Sequence, residues 1–135
     1  MQVTIPTDRP IYESEIATYW FDDAGFLVSL SKSVKRTVEN ISSNSEMIKK
    51  ISNNKPVPLL IYLAPSPMPD KDAREISTKL LPLNYSAMAM VSKPGLAALI
   101  MSLLFKLKPS PVPIKQFTHE KEAREWLMQY AKADN

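Results

Sequence analysis

The chain has 135 residues, 44% of them hydrophobic and 23% charged, with no cysteine and a formal net charge of +3. That is the size of one folded domain with a real core, and its scattered lysines fall short of the dense basic patch of a nucleic-acid binder. The missing cysteines exclude disulfides, thiolate metal sites and a cysteine nucleophile, and the two glycines, Gly25 and Gly95, are too few for a dinucleotide fingerprint or a phosphate-cradling loop.

In chain order, MQVTIPTDRP shows no basic segment followed by an apolar core, so no secretory signal is expected there and a cytoplasmic protein is. EIATYWFDDAGFLVSLS (residues 15–31) holds two β-branched and aromatic runs around Asp22, Asp23, Ala24 and Gly25, which is hairpin chemistry. Pairing Phe21 with Phe26 would put Ala17, Tyr19 and Phe21 on one face with Phe26, Val28 and Leu30, and Trp20 on the other. Over residues 33–53, Val34, Val38, Ile41, Ile48 and Ile51 recur at helical spacing until Asn53, Asn54 and Pro56 end the pattern. PVPLLIYLA (residues 56–64) is a short continuous apolar run, the pattern of a strand buried on both faces and hence of parallel pairing.

Residues 70–81 return to helical spacing, with Ala73, Ile76, Ser77 and Leu80 inward and Asp70 or Pro69 at the start. YSAMAMVS (residues 85–92) reads as a second buried strand whose alternate alanines, Ala87 and Ala89, admit a closely packed helix. Pro94 then opens an apolar helix to Phe105; its twelve residues are too few for the roughly 20 that span a bilayer, so no membrane insertion is expected. After the proline-rich KPSPVP comes a short strand over residues 114–117. Thr118 caps a last helix with Ala123, Trp126, Leu127 and Tyr130 inward and Glu120, Lys121, Glu125 and Gln129 in water. Strands alternating with helices predict an α/β domain over residues 1–135, core about 13–131, with an N-terminal hairpin, a mixed, mostly parallel five-stranded sheet and about four helices.

Few residues suggest chemistry. His119 is the single histidine, which neither a metal cluster nor a triad can be built on. Asp70 and Asp72, two apart on a helix, point in different directions and serve as helix-start charges; Asp22 and Asp23 belong to turn hydrogen bonding. Lys93 and Gly95 precede a helix start that can receive an anion. The helix over residues 94–105 is apolar all round and must be core, the roof of a hydrophobic pocket or a homodimer surface through Met101, Leu104 and Phe105. In the pocket reading Met88, Met90, Lys93, Met101, Leu104 and Phe105 would line the ligand, with methionine suited to adaptable apolar contact. No cofactor or metal is implied.

The order of elements, with AMAMVSKPG, the KPSPVPIKQF approach to the last strand and the closing EKEAREWL, resembles the small STAS-like (sulfate transporter and anti-sigma factor antagonist) proteins of bacteria. It is most similar to their stand-alone SpoIIAA-like branch, a fold also compared with the lipid-binding CRAL-TRIO domain. In phosphoregulated members a serine at the helix start after a central strand controls partner binding. The matching segment here, SPMPDKDAREI, lacks that serine: only Ser66 is near, between Pro65 and Pro67, and Asp70 and Asp72 take the helix start. Many stand-alone relatives carry an acidic residue near the end of the preceding strand, where this chain has Tyr62. The resemblance therefore implies a non-enzymatic regulatory module that binds another protein, of unknown identity, through Ser66, Asp70, Lys71, Asp72 and Arg74. The alternative is a small carrier or sensor of an apolar, lipid-like ligand.

Overall fold

The computed structural model describes residues 3–105 and 110–133, apart from the side chains of residues 103–105 and 132–133. Its elements run β1 (Tyr12–Glu13), β2 (Ala17–Phe21), β3 (Leu27–Ser31), α1 (Val38–Ile51), β4 (Val57–Tyr62), α2 (Lys71–Asn84), β5 (Tyr85–Val91), α3 (Leu96–Phe105), β6 (Ile114–Phe117) and α4 (Glu120–Ala133). The strands form one sheet in sequence order, β1-β2-β3-β4-β5-β6. β1, β2 and β3 pair antiparallel, and β3 through β6 pair parallel. The sheet thus has six strands where five are predicted. The extra one, β1, has only two residues, Tyr12 and Glu13 opposite Tyr19 and Thr18, too short to carry an alternating pattern.

The hairpin register also differs by one residue from the predicted one. Asp22 accepts from Ala24 N and Phe26 N through Oδ1, and its own N–H donates to the Phe26 carbonyl, so Asp22 rather than Phe21 stands opposite Phe26. Gly25 closes the turn at φ 89°, the left-handed position of a three-residue loop. Phe21 then pairs with Leu27 and Trp20 with Val28. Because side chains alternate, that one step puts Trp20 with Phe26 and Val28 on one face, and Tyr19 with Leu27 on the other.

Successive crossovers of one hand carry α1, α2 and α3 to a single face of the sheet. There Ile48, Leu81 and Ala97 meet Tyr19, Leu27, Leu59, Tyr85, Met88 and Met90. The opposite face is closed by α4, whose fully buried Ala123 and Leu127 sit on Leu60, Ala87, Ala89 and Val91, with Val3 and Ile11 of the N-terminal segment packed alongside. The two alanines of β5 and Ala123 are all 0% exposed, which is how a helix with bulky Trp126 and Tyr130 at its margins approaches the sheet this closely.

Helix ends follow the local chemistry. α1 starts later than its apolar spacing predicts, because Thr37 caps it in a reciprocal box with Asn40, leaving Val34 outside. It stops at Asn53 and Asn54, both left-handed at φ 56° and 60°. α2 runs on past Leu81 to Asn84 with Pro82 in its last turn. α4 begins at Glu120, with the His119 carbonyl accepting from Ala123 N, so His119 rather than Thr118 stands at its head.

Candidate functional site

Between the sheet and the α1–α2 pair lies a cavity of about 230 Å³ that opens toward the C-terminal ends of β3 and β4. Parallel strands ending beside helix starts form the usual ligand edge of an α/β sheet. The walls are chiefly apolar: Leu59, Ile61 and Leu63 of β4 and its extension, Met88 and Met90 of β5, and Leu80 and Leu81 of α2. Ser66 and Pro69, from the loop that joins β4 to α2, stand at the same opening.

A polar cluster interrupts this lining. Asn44 Nδ2 of α1 donates to the Tyr19 hydroxyl at 2.9 Å and Ser14 Oγ donates to Asn44 Oδ1 at 2.7 Å. The Tyr85 and Ser29 hydroxyls lie beside that of Tyr19. Burial, more than any neighbour, pushes the Tyr19 and Tyr85 phenols above their ordinary pKa. Ser29 is 0% exposed and its Oγ has no well-formed hydrogen bond. Behind Asn44, Ser45 and Asn84 tie α1 to α2 through Oγ and amide contacts of 3.0 and 3.2 Å.

At the opening sits Arg36. Its Nη1 donates to the Lys32 and Val34 carbonyls at 2.6 and 2.7 Å, and its Nη2 to Ser31 Oγ at 2.6 Å and the Ile16 carbonyl at 3.2 Å. All four acceptors are neutral, and among the described residues no carboxylate pairs with this guanidinium. Burial lowers its pKa from the ordinary arginine value.

The residues expected to bind a partner share the β4–α2 connection but not one role. Ser66 is exposed, and so are Pro65, Pro67 and Met68, the last by 60%. Asp70 occupies the α2 cap position without a side-chain capping bond and instead pairs with Lys35 of the segment before α1 at 3.2 Å. Lys71 and Asp72 are exposed in the first turn, and Lys71 reaches Glu75 only at 4.0 Å. Arg74 is half-buried: its Nη1 donates to the Pro69 carbonyl at 2.7 Å and fixes the loop's end.

The residues expected to line an apolar ligand separate in space. Met88 and Met90 line the cavity, and Met101 packs against the same core cluster. Lys93 is exposed near Gly95, in a surface cleft with Gln116 and His119 and away from the cavity. The side chains of Leu104 and Phe105 lie outside the described residues. The cavity sits under α1 and α2, and of α3's described side chains only Ile100 touches it. α3 shows Leu99 to solvent by 56% and buries Ala97.

Tyr62, at the end of β4 where an acidic residue is common in the resembled proteins, is buried on the α4 face with its hydroxyl unpartnered. It looks into a separate surface cleft of about 430 Å³ with Trp20, Arg9, His119 and Arg124. The Tyr19, Ser29, Arg36, Asn44 and Tyr85 cluster is not apparent from the sequence stretches singled out by chemistry. The signal for it is polar residues at inward positions: Asn40, Asn44 and Ser45 fall on α1's buried face, and Ser29 on an inward strand position.

Residues 19–131 match the model of the family described as Domain of unknown function (DUF7793), and the chain belongs to that family. No curated protein matches it. Among solved structures it is similar to an uncharacterized protein of the DUF3478 family with a SpoIIAA-like fold from Shewanella loihica PV-4, at 17% identity and a TM-score of 0.54. That likeness covers 94% of this chain and 98% of the other, and the fold here is SpoIIAA-like. Among the described residues no helix is long and apolar enough to cross a membrane.

Proposed function

We propose that this DUF7793 domain is a non-enzymatic, cytoplasmic regulatory module that acts by binding another protein through the β4–α2 connection, residues 66–74. The observation that carries the reading is a proline-rich loop exposed over residues 65–68 while both its ends are held. Pro65 through Met68 are exposed; at the β4 end Leu63 N–H donates to the Val91 carbonyl, and at the α2 end Arg74 holds the Pro69 carbonyl while Lys35 pairs with Asp70. A surface ordered before contact loses less conformational freedom on binding than a mobile one. Prolines supply that order here, and Asp70, Lys71, Asp72 and Glu75 supply a charged rim suited to setting partner choice.

The loop follows β4, a central strand of the parallel part of the sheet, and leads into α2, so it stands at the helix-start edge. The reading assigns no catalysis: His119 is exposed, and no hydrogen bond among the described side chains joins it to a hydroxyl nucleophile. Charge reversal at Asp70 and Asp72, both exposed, tests it without touching the core. Partner affinity should fall at least about tenfold in D70K/D72K, and binding that is unchanged removes this surface from the account.

A further inference from the structure

We propose that the cavity under α1 and α2 is a binding site for a small amphiphile with an anionic head, the head at Arg36 and Ser31 and the short apolar tail along Ile61, Met88 and Met90. The inference rests on different observations from the docking surface proposed above, although Ser66 and Pro69 border both. It rests first on the lining, which is apolar with a few polar groups converging at one end, as in small-molecule sites generally. It rests next on Ser29. A fully buried hydroxyl without a well-formed hydrogen bond is unfavourable in a folded protein; this one lines the cavity with only a loose contact to the Tyr19 hydroxyl, and a ligand atom there can complete it.

Arg36 decides the head group. Four hydrogen bonds to neutral oxygens take up both Nη groups and hold the guanidinium still, leaving Nε–H and the Ser31 hydroxyl as donors to a ligand and the charge without a counter-ion among the described residues. A carboxylate or similar anion at the opening supplies that charge, whereas a neutral polar head does not. Volume bounds the tail. At about 30 Å³ per water-sized group, 230 Å³ holds roughly eight such groups, so a medium-chain acid fits and a long-chain lipid would project through the opening.

The test uses the whole chain with 13C-labelled methionine methyls and octanoate as the probe, with 1-octanol as the uncharged control. Met88 and Met90 line the cavity, while Met128 packs on the opposite face and Met68 lies in solvent. Octanoate should shift Met88 and Met90 saturably and leave Met128 and Met68 in place. It should bind at least about tenfold more tightly than octanol, and Arg36→Gln should bring the two probes level. Should that variant not fold, the acid-to-alcohol ratio of the unaltered protein decides, with Ser77→Phe, which fills the cavity from α2, abolishing the shifts. Equal affinity for acid and alcohol, shifts spread over all the methionines, or no saturable shift would each overturn the proposal.

Discussion

Ser29→Ala should make the unliganded protein more stable, against the usual direction of a core truncation. Ser29 sits in the middle of β3 at 0% exposure, paired in register with Ile61, and its Oγ makes no well-formed hydrogen bond, only a loose contact with the Tyr19 hydroxyl. A buried hydroxyl left unpaired costs about 1–3 kcal/mol. Removing one oxygen opens a void on the order of 10 Å³, which at ~24 cal/mol per Å³ costs only about 0.3 kcal/mol. The difference favours alanine by roughly 1 kcal/mol, or about 3–5 °C in Tm for a domain of this size. Urea unfolding followed by circular dichroism should show the midpoint rise with an unchanged slope. Ser45→Ala is the control, because Ser45 Oγ is engaged with Asn84. There the same exchange should lose about 1 kcal/mol and strand the Asn84 amide. A loss of 1 kcal/mol or more in Ser29→Ala would refute the reasoning, since the hydroxyl would then have to be satisfied in the folded protein.

Leu127→Ala should cost about 3–4 kcal/mol in the same assay, because α4 presses this fully buried leucine onto β4 and β5. Leu83→Ala, 53% exposed on α2, should stay within about 0.5 kcal/mol, and equal costs would contradict the packing. Asp22→Ala removes two backbone acceptor bonds in the hairpin turn and the ion pair with Arg124 of α4, so a loss of about 2 kcal/mol is expected, with Asp22→Asn recovering part of it. Above pH 10 the protein should become steadily less stable. Tyr19 and Tyr85 have folded-state pKa values raised by burial, so the unfolded chain loses those protons first and their contribution, full below pH 10, falls as pH climbs toward the folded values. Phenolate absorbance should show these two tyrosines ionising only with unfolding; their titration in the folded protein near pH 10 would contradict their burial.

Most of the fold is legible from periodicity because long, consistently patterned elements leave little choice. The run VPLLIY must be buried on both faces, and α4's Ala123, Trp126, Leu127 and Tyr130 share one stripe. What escapes is set by single residues. The hairpin register turns on Asp22 using its carboxylate to hold Ala24 and Phe26 N–H groups, a local competition that apolar alternation does not record. Tyr12 and Glu13 form a strand only because Tyr19 and Thr18 are there to pair with. The cavity is hidden for a related reason: its members come from β2, β3, β4, β5, α1, α2 and α3, and Asn44 and Ser29 look like interruptions of an apolar face until the sheet brings them beside Tyr19. Arg74, grouped with the exposed loop charges by sequence, turns back over the helix start to bond the Pro69 carbonyl.

Native mass spectrometry of the protein purified gently from its own source cells, run beside D70K/D72K purified the same way, tests the interaction reading most directly. The account predicts a second polypeptide mass bound to the unaltered protein and lost from the variant, while the variant's own charge-state distribution stays that of a folded domain. A lone protomer or a homodimer as the sole species, or a partner retained in full by the variant, would contradict it.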